Sequence, residues 1–296
     1  NNIIFKSNNL KNDLFINLEF INLYTIYKNL IFFENLIDKK KVKLLVFCEG
    51  DGLIYKNINA IYKNKIKTLC IQWGTINYKY AKSPFHYLEY DLFLSWGNYY
   101  KKFFQKINSK LKVFNIGNLN LEIIRKFKKD KILICLPQKS IISSDEFNNS
   151  LISLIDYLDK KYPKKIIIRP HPQDKFYEMF ISKNSHKMLV DDPSNNLSNT
   201  LSKCKIVISA ASSILIEGGR VGTIPFLWYP KNSKVIWSKS LQRLIQLKNY
   251  KFLIFDNEIL YDEINKLMFN KSHYLKIKKS LFNILKDDIS NLKSVS

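Results

Sequence analysis

Forty-eight basic residues against 25 acidic ones leave this 296-residue chain at +23, a balance that points toward polyanions or an anionic membrane surface. Only Arg125, Arg169, Arg220 and Arg243 carry guanidinium groups, the rest of the charge being lysine among abundant Asn and Ile. The paired forks that read base edges are therefore scarce, and nucleic acid is not an expected partner.

The length suits two domains of ordinary size with real cores. Cys48, Cys70, Cys135 and Cys204 lack CxxC spacing and sit in or beside apolar runs, which reads as buried thiols in a reducing compartment. No run approaches the roughly 18 apolar residues of a membrane span, and no signal peptide is visible. A cytoplasmic protein is expected, its basic surface suited to the inner face of the membrane. The chain begins at Asn1 rather than methionine, so a truncated first domain is expected.

In chain order, a short strand is expected at 3–5, and residues 14–37 are apolar at mixed helical spacing, read as core. A rhythm then begins: a strand at 42–47, a helix at 53–63, strands at 67–71 and 90–94, a helix at 99–107 and a strand at 113–116. Strands that alternate with helices and are apolar on both faces predict a parallel, doubly wound α/β sheet. The lysine-rich segment 125–131 reads as a solvated linker between domains spanning 1–125 and 131–296. Beyond it, strands are expected at 132–136, 166–168, 206–208, 224–228 and 252–255, with helices at 147–162, 258–269 and 274–285. The expected fold is two doubly wound, Rossmann-like domains facing a cleft, closed by C-terminal helices.

Ligands bind such sheets where strands run out, and the unusual residues of this sequence lie there. After the first strand comes Glu49-Gly50-Asp51-Gly52, two carboxylates between glycines that can supply a general base to an acceptor hydroxyl; an acidic helix cap is the bland alternative. After the next comes Gln72-Trp73-Gly74-Thr75, an amide and a glycine that allow close approach to a ligand. Arg169-Pro170-His171-Pro172 presents a cation and an imidazole on a backbone fixed by two prolines. Around the run from Cys204 to Gly222, a buried strand breaks into Ser212-Ser213 before a helix carrying Glu217. The hydroxyls and first amides suit a phosphate, and Glu217, one turn on, suits sugar hydroxyls; helix capping explains the serines as well. Asp191-Asp192 in VDDPS reads as a turn with helix capping rather than a metal pair. The chain lacks GxGxxG, Walker, GxSxG and HExxH motifs.

Taken in this order, the motifs resemble the GT-B glycosyltransferases of bacterial surface-polysaccharide synthesis, and among them sialyltransferases, polysialyltransferases and capsule Kdo transferases. The carriers of the resemblance are Asp51-Gly52 preceded by Glu49, then His171-Pro172, then Ser212-Ser213. The resemblance implies Asp51 as general base, His171 at the donor phosphate or the departing nucleotide, and the two serines as phosphate ligands. It also implies a CMP-linked sugar donor in an inverting displacement that needs no metal or other cofactor. The first motif has EGDG where the family has adjacent acids, so Glu49 and Asp51 both stand as candidates for the base. IQWGT is similar to a segment of CDP-glycerol glycerophosphotransferases, with Trp73 where those have histidine. Expected partners are a nucleotide-sugar donor and a glycan or lipid-linked acceptor, with peripheral contact to anionic membrane. A glycerophosphotransferase, a UDP-sugar 2-epimerase-like enzyme and a non-catalytic nucleotide-sugar-binding module are the alternatives.

Overall fold

The structure, a computed structural model, describes residues 27–37, 41–48, 53–62, 64–72, 74, 88–118, 127–137, 145–171, 189–210, 212–231, 233, 241, 244–245 and 250–286. The chain divides into two compact units, each built on its own parallel sheet.

The first unit carries helix α1 (residues 27–37), strand β1 (Leu44–Phe47), α2 (Leu53–Tyr62), β2 (Lys67–Ile71), β3 (Leu92–Ser95), α3 (Asn98–Ile107) and β4 (Val113–Asn115). Its strands lie in sequential order, β1-β2-β3-β4. Phe47, Cys70, Phe93 and Val113 are buried, and successive strands bring Phe47 beside Cys70, Cys70 beside Phe93 and Phe93 beside Val113. On α3 the buried face is Tyr100, Phe103 and Phe104, the spacing of one helical stripe. Phe104 packs its ring on Phe93 with centroids 4.3 Å apart. At the start of β2, the Thr68 amide and hydroxyl both donate to Asp91 Oδ2, at 2.8 and 3.0 Å. The amide bond, more than the hydroxyl and nearby Lys67, holds the Asp91 carboxyl below its ordinary range.

Three expectations fail in this unit. Helix α1, read as core, exposes Tyr27, Ile31, Phe32 and Leu36 and buries Ile37 alone among residues 27–37. The alternation read as apolar on both faces leaves Leu44 and Val46 of β1 about half exposed, at 51% and 50%, because β1 is an edge strand among the described residues. Cys48, at the end of that strand, is exposed, whereas Cys70, Cys135 and Cys204 are buried.

The second unit runs through β5 (Lys131–Cys135), α4 (Asp145–Lys161), β6 (Ile166–Arg169), β7 (Leu189–Val190), α5 (Leu197–Lys203), β8 (Cys204–Ser209), α6 (Ile214–Arg220), β9 (Ile224–Trp228), β10 (Leu253–Ile254), α7 (Asn257–Phe269) and α8 (Lys271–Leu285). Its strand order, β10-β9-β8-β5-β6-β7, is that of the Rossmann sheet. The central strands β5, β8 and β9 are apolar runs buried on both faces, as parallel strands covered on either side must be. Neither β7 nor α5 is visible as a periodic run: β7 has two residues, and α5 reads LSNTLSK. A cap defines α5 instead, Asn196 Oδ1 accepting the Ser198 amide at 2.8 Å.

Gly218 and Gly219 let α6 lie against its neighbours. A Cβ at Gly218 would stand 2.8 Å from Val207 Cγ1, and one at Gly219 would stand 2.5 Å from Leu285 Cδ1. Gly222 turns the chain into β9 at φ +77°, and its carbonyl accepts the Tyr274 hydroxyl of α8 at 3.0 Å. The C-terminal helices thus form the back wall of the sheet.

The lysine-rich connection is more than a solvated linker. Lys129 turns inward and donates to the Leu201 and Cys204 carbonyls and to Thr223 Oγ1, at 3.0, 3.4 and 2.8 Å. It adds a donor to carbonyls at the end of α5 that also accept the Thr223 hydroxyl, both at 3.0 Å. Burial lowers its pKa to about 8.

Candidate functional site

The strand order of the second sheet reverses between β5 and β8: β6 and β7 extend to one side of β5, and β8, β9 and β10 to the other. A crevice opens at the carboxyl ends of strands at such a reversal, because the connections on either side depart in opposite directions. Three neighbouring strand ends meet at that position here. In the centre β5 ends at Cys135, followed by Leu136 and Pro137; β6 ends in Arg169-Pro170-His171; β8 ends in Ser209 and leads to Ser212-Ser213. Leu136 donates its amide to the Arg169 carbonyl at 3.0 Å. Ser209 donates its hydroxyl to the Cys135 carbonyl at 3.2 Å. The three ends are stitched together.

Ser213 begins α6 without a side-chain cap, and its hydroxyl favours the charged form of the Glu217 carboxylate. Capping falls to Ser212, whose Oγ accepts the Ile214 amide at 3.3 Å; its O–H stays available to donate to a ligand. Burial raises the Glu217 carboxyl above its ordinary range against the pull of Ser213, Arg220 and Arg169. The Cys135 thiol, pushed up by burial, feels the charges of Arg169, Asp191 and Glu217. The sequence-predicted Arg169 and Glu217 therefore both act electrostatically on the end of β5.

Arg169 is heavily engaged. Its side chain is 11% exposed and pairs with the Asp191 carboxylate. It also donates to the carbonyls of Asp192, Pro193 and Asn195 at 3.5, 2.9 and 3.0 Å. His171, two residues on, is half-buried. The VDDPS turn forms as expected: Asp192 Oδ1 accepts the Ser194 amide at 2.8 Å and hydroxyl at 2.7 Å, and those bonds hold its carboxyl low.

Of the remaining candidates, Gln72 is buried at the end of β2, its backbone amide donating to the Leu94 carbonyl at 2.9 Å, and Gly74 has open space around its Cα. Glu49, Asp51, Thr75 and Pro172 lie outside the described residues. Among the described residues no group of three His, Cys, Asp or Glu side chains could hold a metal ion, and no helix is long and apolar enough to cross a membrane.

No family model matches the chain, and no curated protein matches it. Solved structures do. The UDP-GlcNAc 2-epimerase of Methanocaldococcus jannaschii, in complex with UDP-GlcNAc and UDP, is 17% identical with a TM-score of 0.57, over 83% of this chain and 74% of its own. MnaA of S. aureus, solved with UDP, is 13% identical with a TM-score of 0.58, over 90% and 76%. The wall teichoic acid polymerase TagF, soaked with CDPG, is 14% identical with a TM-score of 0.57, over 85% and 69%. The fold is GT-B.

Within the GT-B fold, sequence reasoning missed Asp191 as a partner of the site, because its aspartate pair reads first as a turn. Asn195 and Thr200 were missed for a related reason. They converge on Asp191 through donated bonds of 3.0 and 2.8 Å, which no local periodicity announces.

Proposed function

We propose that the chain is a GT-B glycosyltransferase that moves a sugar from a nucleotide-activated donor to a surface-glycan acceptor, inverting and without a metal. The observation that carries this reading is the strand reversal at β5 and β8, with the Ser212-Ser213 turn and the Arg169-His171 strand end on either side of it. A Rossmann sheet binds nucleotides at that position. The Ser212 hydroxyl meets a donor phosphate, and His171 stabilises charge on the departing phosphate. Asp51, or Glu49 beside it, takes the proton of the acceptor hydroxyl. That oxygen attacks the anomeric carbon while the bond from carbon to phosphate oxygen breaks, the electron pair leaving with the nucleotide. Glu217 meets hydroxyls of the bound nucleoside or sugar.

A CMP-linked donor is the first choice, supported by the HP and double-serine motifs. A glycerophosphotransferase reading draws on IQWGT and on the likeness to TagF. An epimerase reading draws on the M. jannaschii enzyme and requires conversion of the nucleotide sugar without any acceptor. The acceptor is taken to be a glycan or a lipid-linked glycan, met at an anionic membrane surface that the net charge of +23 favours.

Thermal-shift titration with CMP, CDP, UDP and GDP tests the reading, because a ligand that binds only the folded state raises the midpoint. Stabilisation by CMP alone is the expected result. A CDP response favours glycerophosphate transfer, and a UDP response favours a UDP-sugar enzyme. No response to any nucleotide overturns the proposal. Asp51→Asn is expected to retain nucleotide affinity and lose turnover.

A further inference from the structure

Asp191 and Arg169 form a heavily bonded polar cluster among the described residues of the second unit, and both side chains are close to nine-tenths buried. Asp191 Oδ2 takes the Arg169 guanidinium and the Thr200 hydroxyl, the latter at 2.8 Å, and Oδ1 takes the Asn195 amide at 3.0 Å. The Asp191 backbone amide donates to the Ile168 carbonyl at 2.8 Å, one residue before Arg169. Arg169 donates further from its two terminal nitrogens to the carbonyls of residues 192, 193 and 195. A guanidinium has five N–H donors in a fixed plane and no acceptor, and this arrangement commits the four on its terminal nitrogens to protein.

We infer that Asp191 is a positioning residue: it draws Arg169 away from the ligand and uses it to clamp the β7–α5 turn to the end of β6, fixing the direction in which Pro170-His171 leaves the sheet. Arg169 is then a clamp rather than a phosphate ligand. Proline at 170 makes the consequence rigid, because a fixed φ transmits any rotation at Arg169 to His171. The value of the device for turnover rests on the role proposed for His171; its geometric content does not.

Two readouts separate these. In the full chain with 13C-labelled histidine, the ring resonances of four histidines are observed, and His171→Gln assigns the one that matters. Asp191→Asn keeps the shape and removes the charge. It is expected to shift the His171 resonance and leave that of His273, on α8, unmoved. An unmoved His171 resonance in a folded Asp191→Asn protein overturns the inference, whatever the chain binds. Should Asp191→Asn fail to fold, Thr200→Val, which removes a single bond to Asp191, is expected to give the same shift in smaller measure, and its absence has the same force.

With a donor established, Asp191→Asn is expected to lower kcat about 10- to 100-fold, the usual cost of a small misplacement at a reacting group. The nucleotide Kd is expected to change less than about threefold, because no ligand contact is lost. Adding Asp191→Asn to Arg169→Met is expected to cause no further loss, since the aspartate acts through the arginine. A large fall in nucleotide affinity with the His171 resonance unmoved would put Arg169 on the ligand and sink the clamp. Absence of any nucleotide response with a moved resonance would remove the proposed function and leave the clamp standing.

Discussion

The two sheets of this protein are built from similar strands and differ in order. In the first, the described strands follow one another from β1 to β4 without reversal; in the second, the order turns back at β5 and β8. A sheet that winds in one direction covers the ends of its strands evenly, whereas a reversal leaves a gap between connections. Equivalent residues at strand ends therefore have different prospects. Ser95 closes β3 and donates its hydroxyl to the Phe114 carbonyl at 3.2 Å, a structural use, while Ser212 lies beside the reversal and keeps its O–H.

The contrast can be broken in several ways, the largest first. Lys129→Ala removes the donor shared by two carbonyls and a threonine and is expected to destabilise the second unit by about 3 kcal/mol, read as a fall in the denaturation midpoint. Its counterpart, Lys67→Ala, removes an exposed pair with Asp91 at 3.7 Å and is expected to cost at most about 1 kcal/mol. Comparable losses would mean that burial does not separate the two lysines. Gly218→Ala, whose new methyl meets Val207 on a stiff β-branched side chain, is expected to cost about 1–3 kcal/mol. Gly74→Ala enters open space and should leave the melting temperature unchanged or slightly raised.

Binding sharpens the comparison further. Ser212→Ala is expected to weaken nucleotide binding about tenfold, the worth of one hydrogen bond to a charged group, while Ser95→Ala leaves it unchanged; equal losses in a calorimetric titration would remove the assignment of the nucleotide to the second sheet. The smallest effect is in pH dependence. The Glu217 carboxyl is raised in the folded protein, so the native state binds more protons than the unfolded chain above the ordinary glutamate pKa of 4.5. Its contribution is full below that pH and is lost as pH rises through the folded value. Wild type is thus expected to lose stability relative to Glu217→Gln as pH climbs from 4.5. A flat difference would show that the carboxyl is not desolvated. Lys129 runs the other way: with a pKa near 8 against 10.5 unfolded, wild type gains on Lys129→Met as pH rises between those values.

Much of this was legible in the sequence because it is local. Runs such as ILIC, KIVIS and IPFLW are largely apolar without alternation, and a strand covered on both faces suits them. Ser212-Ser213 and Arg169-Pro170-His171 sit at strand ends that those runs predict. What stayed hidden depends on partners distant in sequence. Lys129 looks like one more solvated lysine in RKFKKDK until the end of α5 is folded beside it. Asp191 looks like a turn former until Arg169, 22 residues earlier, reaches it.

The sequence by itself determined the alternation of strand and helix, the location of the buried runs and the residue types at their ends, since hydrophobic periodicity and backbone preference act within a few residues. Tertiary structure decided the strand order, and with it which ends share a crevice, because parallel strands are joined by long crossovers whose spatial sequence no local pattern encodes. It also decided that the terminal donors of Arg169 reach the Asp191 carboxylate and three carbonyls, for a cation is engaged by whichever acceptors the fold brings within its reach.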